Sequence, residues 1–178
     1  EEEMAMILKI IGSMLIITAS SFIGFIYSRE CAKRPQQLRE IQGMLQILEN
    51  EISFLSNLLA DAFEKAYKSN RDATSLIFKS AFENLCDNKG YNAQEAWELA
   101  VRDNIKKTSL NEEDEQILMS FGKMLGNSDV EGQVSNIRLT INQLKMQELK
   151  AEETRKKNES MYRALGVLGG IASVILLL

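Results

Sequence analysis

Residues 38–66 read LREIQGMLQILENEISFLSNLLADAFEKA. Apolar side chains fall at Leu38, Ile41, Leu45, Leu48, Ile52, Leu55, Leu59, Ala62 and Ala66. The spacing alternates 3 and 4 through four heptads without a break. That period draws one apolar stripe along a helix and buries it against another helix. It predicts a single long helix from about residue 29 to residue 68. Pro35 stands just before the stripe, where a first-turn position makes its missing N–H cheap. Gly43 lies off the stripe and costs roughly 1 kcal/mol against alanine.

Towards the C-terminus, KSNRDAT (68–74) is polar and turn-like. A helix is predicted from about Thr74 to Asp87, burying Leu76 or Ile77 together with Phe78, Ala81, Phe82 and Leu85, and ending at Asn88-Lys89-Gly90. Asn92 with Glu95 has the pattern of a capping box for a third helix reaching about Lys107. Trp97 on that helix reads as a core residue rather than a stacking platform. Leu110 to Leu125 forms a fourth helix with Asn111 as its cap. A fifth starts near Asp129 and carries Val130, Val134, Ile137, Ile141 and Leu144 at spacings of 4, 3, 4 and 3. Charge then takes over in KAEETRKKNE (150–159), a solvated face with room for i, i+4 pairs such as Glu152–Lys156.

Between the fourth and fifth helices lies FGKMLGNSDVEGQ (121–133). Its glycines and lysine raise the question of a phosphate cradle. Such a loop needs G-x-x-x-x-G-K-[ST] between a strand and a helix. Here Lys123 follows the first glycine, no lysine follows Gly126, and no strand pattern precedes it. The stretch therefore reads as a corner. Gly126 ends one helix and Ser128 or Asp129 caps the next, with Glu131 three residues after Ser128. No strand-like alternation occurs anywhere, so the chain reads as all-α: a bundle of about five helices built on a long antiparallel pair. The first and fifth helices would be about 58 and about 51 Å long at the α-helical rise.

Both ends are apolar. Ile10 to Tyr27 is 18 residues without a charge, and adding Ile7 to Lys9 gives a stretch long enough to span a bilayer. A signal peptide competes, with Lys9 as its basic region and Thr18-Ala19-Ser20 as small residues. Arg29, Lys33 and Arg34 follow at once and favour a retained anchor with a cytoplasmic flank. Ala164 to Leu178 is shorter, about 22 Å of helix. Met161 and Tyr162 extend it, and Arg163 can snorkel to the headgroups. The expected organisation is a transmembrane helix at 7–28, a cytosolic domain at 29–163, and a short transmembrane helix at 164–178. Both termini then lie at the outer face. Gly166-x-x-x-Gly170 lets membrane helices approach closely, which is compatible with a homo-oligomer, although glycine is also simply tolerated in lipid.

Composition narrows the function. With 21 basic and 25 acidic residues the net charge is -4, which argues against a nucleic-acid binder. There is no histidine, so the commonest general base and metal ligand is missing. Cys31 and Cys86 lack metal-ligand spacing and read as free thiols. No Gly-x-Ser-x-Gly is present. No catalytic, metal or cofactor residues are assigned.

Several blocks together resemble the stage III sporulation protein AB family of spore-forming bacteria: IIGSMLIITASSFIGFIYS, KRPQQLRE, MLQILENEISFLSNLL, FGKMLGNSDVEGQ, NIRLTINQLKMQE and ALGVLGG. The resemblance covers nearly the whole chain, and the LGNSD block is its most specific part. It implies a membrane component of the channel-like complex between mother cell and forespore, in the mother-cell membrane. It implies a cytosolic domain similar to the helical domain of the type II secretion and type IV pilus platform protein. It further implies a secretion-type ATPase as partner, alongside the other membrane proteins of the complex. Periodicity shows none of this; it shows a helical domain between two apolar ends. On this footing the expected function is a non-enzymatic platform or adaptor. The alternatives are a two-anchor signalling or scaffold protein and a membrane-bound hydrolase. The candidate partner-binding residues are Gly126, Asn127, Ser128, Asp129, Glu131 and Gln133, at the far end of the fifth helix. The competing reading is that this corner is only a demanding turn.

Overall fold

The computed structural model describes the backbone except residues 1, 56–58, 88–89, 127–128 and 178. Side chains are described for fewer positions, leaving out most of 1–31 and of 163–178, together with 54 and 55. The described residues are all-α. In order they are α1 (Glu2–Leu55), α2 (Leu59–Lys68), α3 (Ser75–Cys86), α4 (Ala93–Asn104), a 3-10 turn at Ile105–Lys107, α5 (Glu112–Gly122) and α6 (Val130–Leu177). By compactness the chain divides into two units, Arg34–Lys150 and the pair of segments Glu1–Lys33 with Ala151–Leu178.

Two expectations need correction. The single helix over 29–68 is two helices, α1 ending at Leu55 and α2 beginning at Leu59. The physical reason is that the two halves of the stripe serve different partners. Leu38, Ile41, Leu45 and Leu48 are fully buried, on the stretch of α1 that is tied to α6. On α2, Ala62, Phe63 and Ala66 are buried, and Phe63 stacks on Trp97 of α4 at 5.4 Å and 17°. A 3,4 spacing says that a face is buried; it does not say against what. The second correction concerns Pro35, which lies inside α1 rather than opening a new helix. There it removes one i→i−4 hydrogen bond from the helix.

Within Arg34–Lys150, α1 and α6 run antiparallel. Arg138 reaches Glu49 at 2.7 Å, and Arg39 reaches Glu148 at 2.6 Å. As the number rises on α6 it falls on α1. The buried face of α6 is Ile137, Thr140 and Leu144. Ile141 is only half-buried, with Thr140 in its place on the buried face, and Val130 is exposed, so the stripe read from the sequence shifts by one residue at 141 and does not reach back to 130.

The second centre is aromatic. Trp97 is fully buried and meets Phe63, Phe78 and Phe121 at centroid distances of 5.4, 5.2 and 5.1 Å. Two of these contacts are edge-on, the geometry that the ring quadrupole favours. Its indole N–H donates to the Leu118 carbonyl at 2.7 Å, so the polar edge is satisfied. On α3 the ambiguity between Leu76 and Ile77 resolves to Ile77, with Leu76 exposed. Phe82 and Leu85 are half-buried rather than core.

In the other unit Arg155 pairs with Glu152 at 2.7 Å and Glu159 at 3.2 Å. Among the described residues no helix is long and apolar enough to cross a membrane. Most side chains of the two expected spans, 7–28 and 164–178, lie outside the described residues.

Candidate functional site

The corner that carries the candidate residues is built from α5 outward. Asn111 caps α5 by accepting from the Asp114 N–H at 3.0 Å. Asp114 answers by accepting from the Asn111 N–H, also at 3.0 Å, which completes a capping box. The helix closes at Gly122, three residues before the expected end. Met124 and Leu125 then bond back to Phe121 and Gly122, the tightened i→i−3 pattern of a helix terminus. Gly122 is required by packing. A Cβ there would sit 2.6 Å from Trp97 Cδ1. Gly126 is required by conformation, with φ +76°, the left-handed region of a helix C-terminus. The two glycines around Lys123 thus serve an aromatic core and a turn.

Asp129 begins α6. Its Oδ1 accepts from the Gly132 N–H at 2.9 Å, and its carbonyl accepts from the Gln133 N–H at 2.9 Å. Of the two expected caps, Asp129 caps α6; Ser128 lies outside the described residues. Asp129 at the cap and Glu131 in the first turn are both exposed, where negative charge suits the helix dipole. Gln133 is half-buried. Asn127 and Ser128 lie outside the described residues. Beside the corner, Ser53 of α1 and Val130, Glu131, Val134, Ser135 and Arg138 of α6 line an open cleft of about 320 Å³. The structure thus brings Glu131 beside an apolar edge and the Arg138 cation. Among the described residues no cluster of three or more metal-ligating side chains is present.

Sequence reading missed a second constellation. The Asp114 carboxylate is fully buried. It accepts from Arg34 Nε at 2.8 Å and Nη2 at 2.9 Å. The same Nη2 donates to Gln147 Oε1 at 3.2 Å. One fork of hydrogen bonds therefore ties α1, α5 and α6 together. The bidentate geometry and the satisfied carboxylate make such a burial tolerable. Sequence position places Arg34 only in a basic flank. The available signal was Asp114 at the third position after the Asn111 cap.

Two further carboxylates are perturbed. Burial alone would raise Glu148, but hydrogen bonds from Gln42 and Arg39, with the Arg39 and Lys145 charges, hold it below the ordinary carboxylate value. Glu40 is pushed up, first by burial and then by the neighbouring Asp72 carboxylate, against the pull of hydrogen bonds from Gln36 and Asn70. Both sit where α1 meets another element. Glu40 also accepts from the Thr74 hydroxyl at 3.3 Å.

The model of the stage III sporulation protein AB family matches residues 9–178. Stage III sporulation protein AB of Bacillus subtilis (strain 168) is 32% identical over 171 residues, covering 96% of this chain and 99% of that protein. A solved structure of stage III sporulation protein AB (SpoIIIAB) is 28% identical with a TM-score of 0.66, covering 70% of this chain and 98% of that one.

Proposed function

We propose, since the chain belongs to the stage III sporulation protein AB family, that it is a non-enzymatic membrane platform in the sporulation channel complex between mother cell and forespore. Segments 7–28 and 164–178 anchor it, and the helical domain between them lies in the cytoplasm. Exposed Met14, Leu15, Phe22, Leu165, Leu168 and Ile175 support the anchors, because large apolar side chains on an outer face are what lipid accommodates. Basic residues flank both segments on the inner side. Reporter fusions near residue 100 should report cytoplasm; a signal from the far side of the membrane would sink the two-anchor arrangement.

The domain receives a cytosolic secretion-type ATPase at the corner between α5 and α6. The observation that carries this reading is the pair of exposed carboxylates, Asp129 and Glu131, on a helix N-terminus beside the cleft at Val130 and Val134. Asp129 also caps α6, so reversing its charge would confuse binding with folding, a cap being worth about 0.5–2 kcal/mol. The cleaner variant is Asp129→Asn with Glu131→Lys, since asparagine caps as well as aspartate. Titrating the ATPase into detergent-solubilised full chain should show binding weakened about tenfold by the variant, as charge complementarity predicts. Unchanged binding by a folded variant would make the corner architecture and place the docking surface elsewhere.

A further inference from the structure

We propose that two copies of the domain pair through the outer faces of α5 and α6, with the basic face of α6 in each copy lying on the acidic face of α5 in the other. On α6, Leu139, Met146 and Leu149 are 48%, 59% and 52% exposed. They are spaced 7 and 3 apart, so they share one stripe. Ile137 and Leu144 are buried on the opposite side. Lys145 and Lys150 flank the exposed stripe and are themselves exposed.

The outer face of α5 has the opposite character. Glu112, Glu115, Gln116, Met119 and Ser120 line an open groove of about 520 Å³, which is acidic at the start of the helix and closed by Lys123 just past its end. Of the four acidic residues that open this helix, Asp114 is turned inward and paired with Arg34, and exposed Glu113 meets Lys150 of its own chain at 3.7 Å. The dimensions agree: Leu139 to Leu149 spans about 15 Å, and Glu112 to Gly122 about 15 Å, at the helical rise.

The two helices run antiparallel in one domain. Lys150 meets Glu113 at 3.7 Å at one end, and the corner at 123–129 joins them at the other. A two-fold axis along the helices preserves that sense. It lays the acidic start of α5 at the level of Lys145 and Lys150, and Met119 between Leu139 and Met146. The contact is then made twice, once in each direction, as an isologous interface requires. A partner carrying only acidic or only basic charge would satisfy one face. A second copy satisfies both.

The test is sedimentation of the full chain in detergent micelles over a concentration series. A monomer–dimer equilibrium is expected, weakened by salt because the charges are exposed. Lys145→Glu with Lys150→Glu should abolish it, and so should Glu112→Lys with Glu115→Lys. Mixing these two variants should restore a heterodimer, since both contacts become complementary again; this outcome also shows that neither variant has lost its fold. With Cys31 and Cys86 replaced by serine, Gln116→Cys protein should form a disulfide with Met146→Cys protein when the two are mixed with a mild oxidant such as oxidised glutathione, and neither should do so alone. A chain that stays monomeric, a dimer indifferent to the charge reversals, or reversed variants that fail to associate on mixing would overturn the proposal.

Discussion

Replacing Gly122 by alanine should destabilise the protein, although alanine is the better helix former by about 1 kcal/mol. The added Cβ would lie 2.6 Å from Trp97 Cδ1, about 1 Å inside the usual carbon contact of roughly 3.5–4.0 Å. The ring cannot retreat, because Phe63, Phe78 and Phe121 surround it. Any rotation also stretches the 2.7 Å bond from the indole to the Leu118 carbonyl. Overpacking of this kind costs about 1–3 kcal/mol. Leaving the indole N–H and the carbonyl unpaired adds about 1–3 kcal/mol. After the gain in helix propensity the net loss is about 1–5 kcal/mol, or roughly 2–20 °C in Tm for a chain of this size. Trp97 is the one tryptophan in the chain, so its fluorescence reports the melt and the local packing together. Gly43→Ala is the control: a Cβ there meets nothing within 4 Å, so this change should stabilise by up to about 1 kcal/mol. If Gly122→Ala melts at or above wild type with unchanged emission, the account of the corner is refuted.

Asp114→Ala should cost about 3–5 kcal/mol by leaving the Arg34 guanidinium without its carboxylate, as read by denaturant unfolding; a loss under 1 kcal/mol would show that the clasp is idle. Leu48→Ala should cost about 2–5 kcal/mol and Ile141→Ala distinctly less, because Leu48 is fully buried and Ile141 is not; equal losses would contradict the observed register. Because Glu148 is lowered in the fold, its contribution is present above its unfolded value and lost as pH falls through the folded one. Melts of Glu148→Gln should therefore fall below wild type at neutral pH and converge with it in acid. Glu40 is raised, so its contribution is present below its unfolded value and lost as pH rises through the folded one. Glu40→Gln should gain on wild type towards neutral pH, and parallel pH profiles would deny both assignments.

The all-α class, the capping box at Asn92 and Glu95, the cap at Asn111 and the burial of Trp97 were all legible from residue types and spacing, because each depends on groups within a few residues or on bulk hydrophobicity. The family was legible in whole blocks of residues, and its model matches residues 9–178. The outer-face charges were legible as composition but not as faces. What the sequence by itself determined, then, was which residues form helices, where most of those helices start and stop, and which sides avoid water. Tertiary structure alone decided that the stripe at 38–66 divides between two partners, that Arg34 lies in a buried clasp with Asp114, and that Gly122 exists to admit an indole edge. The physical reason is common to all three. A periodic pattern encodes that a surface is buried, whereas the partner it meets is 21 to 113 residues away along the chain for the contacts that matter here, and only the fold brings them to one place.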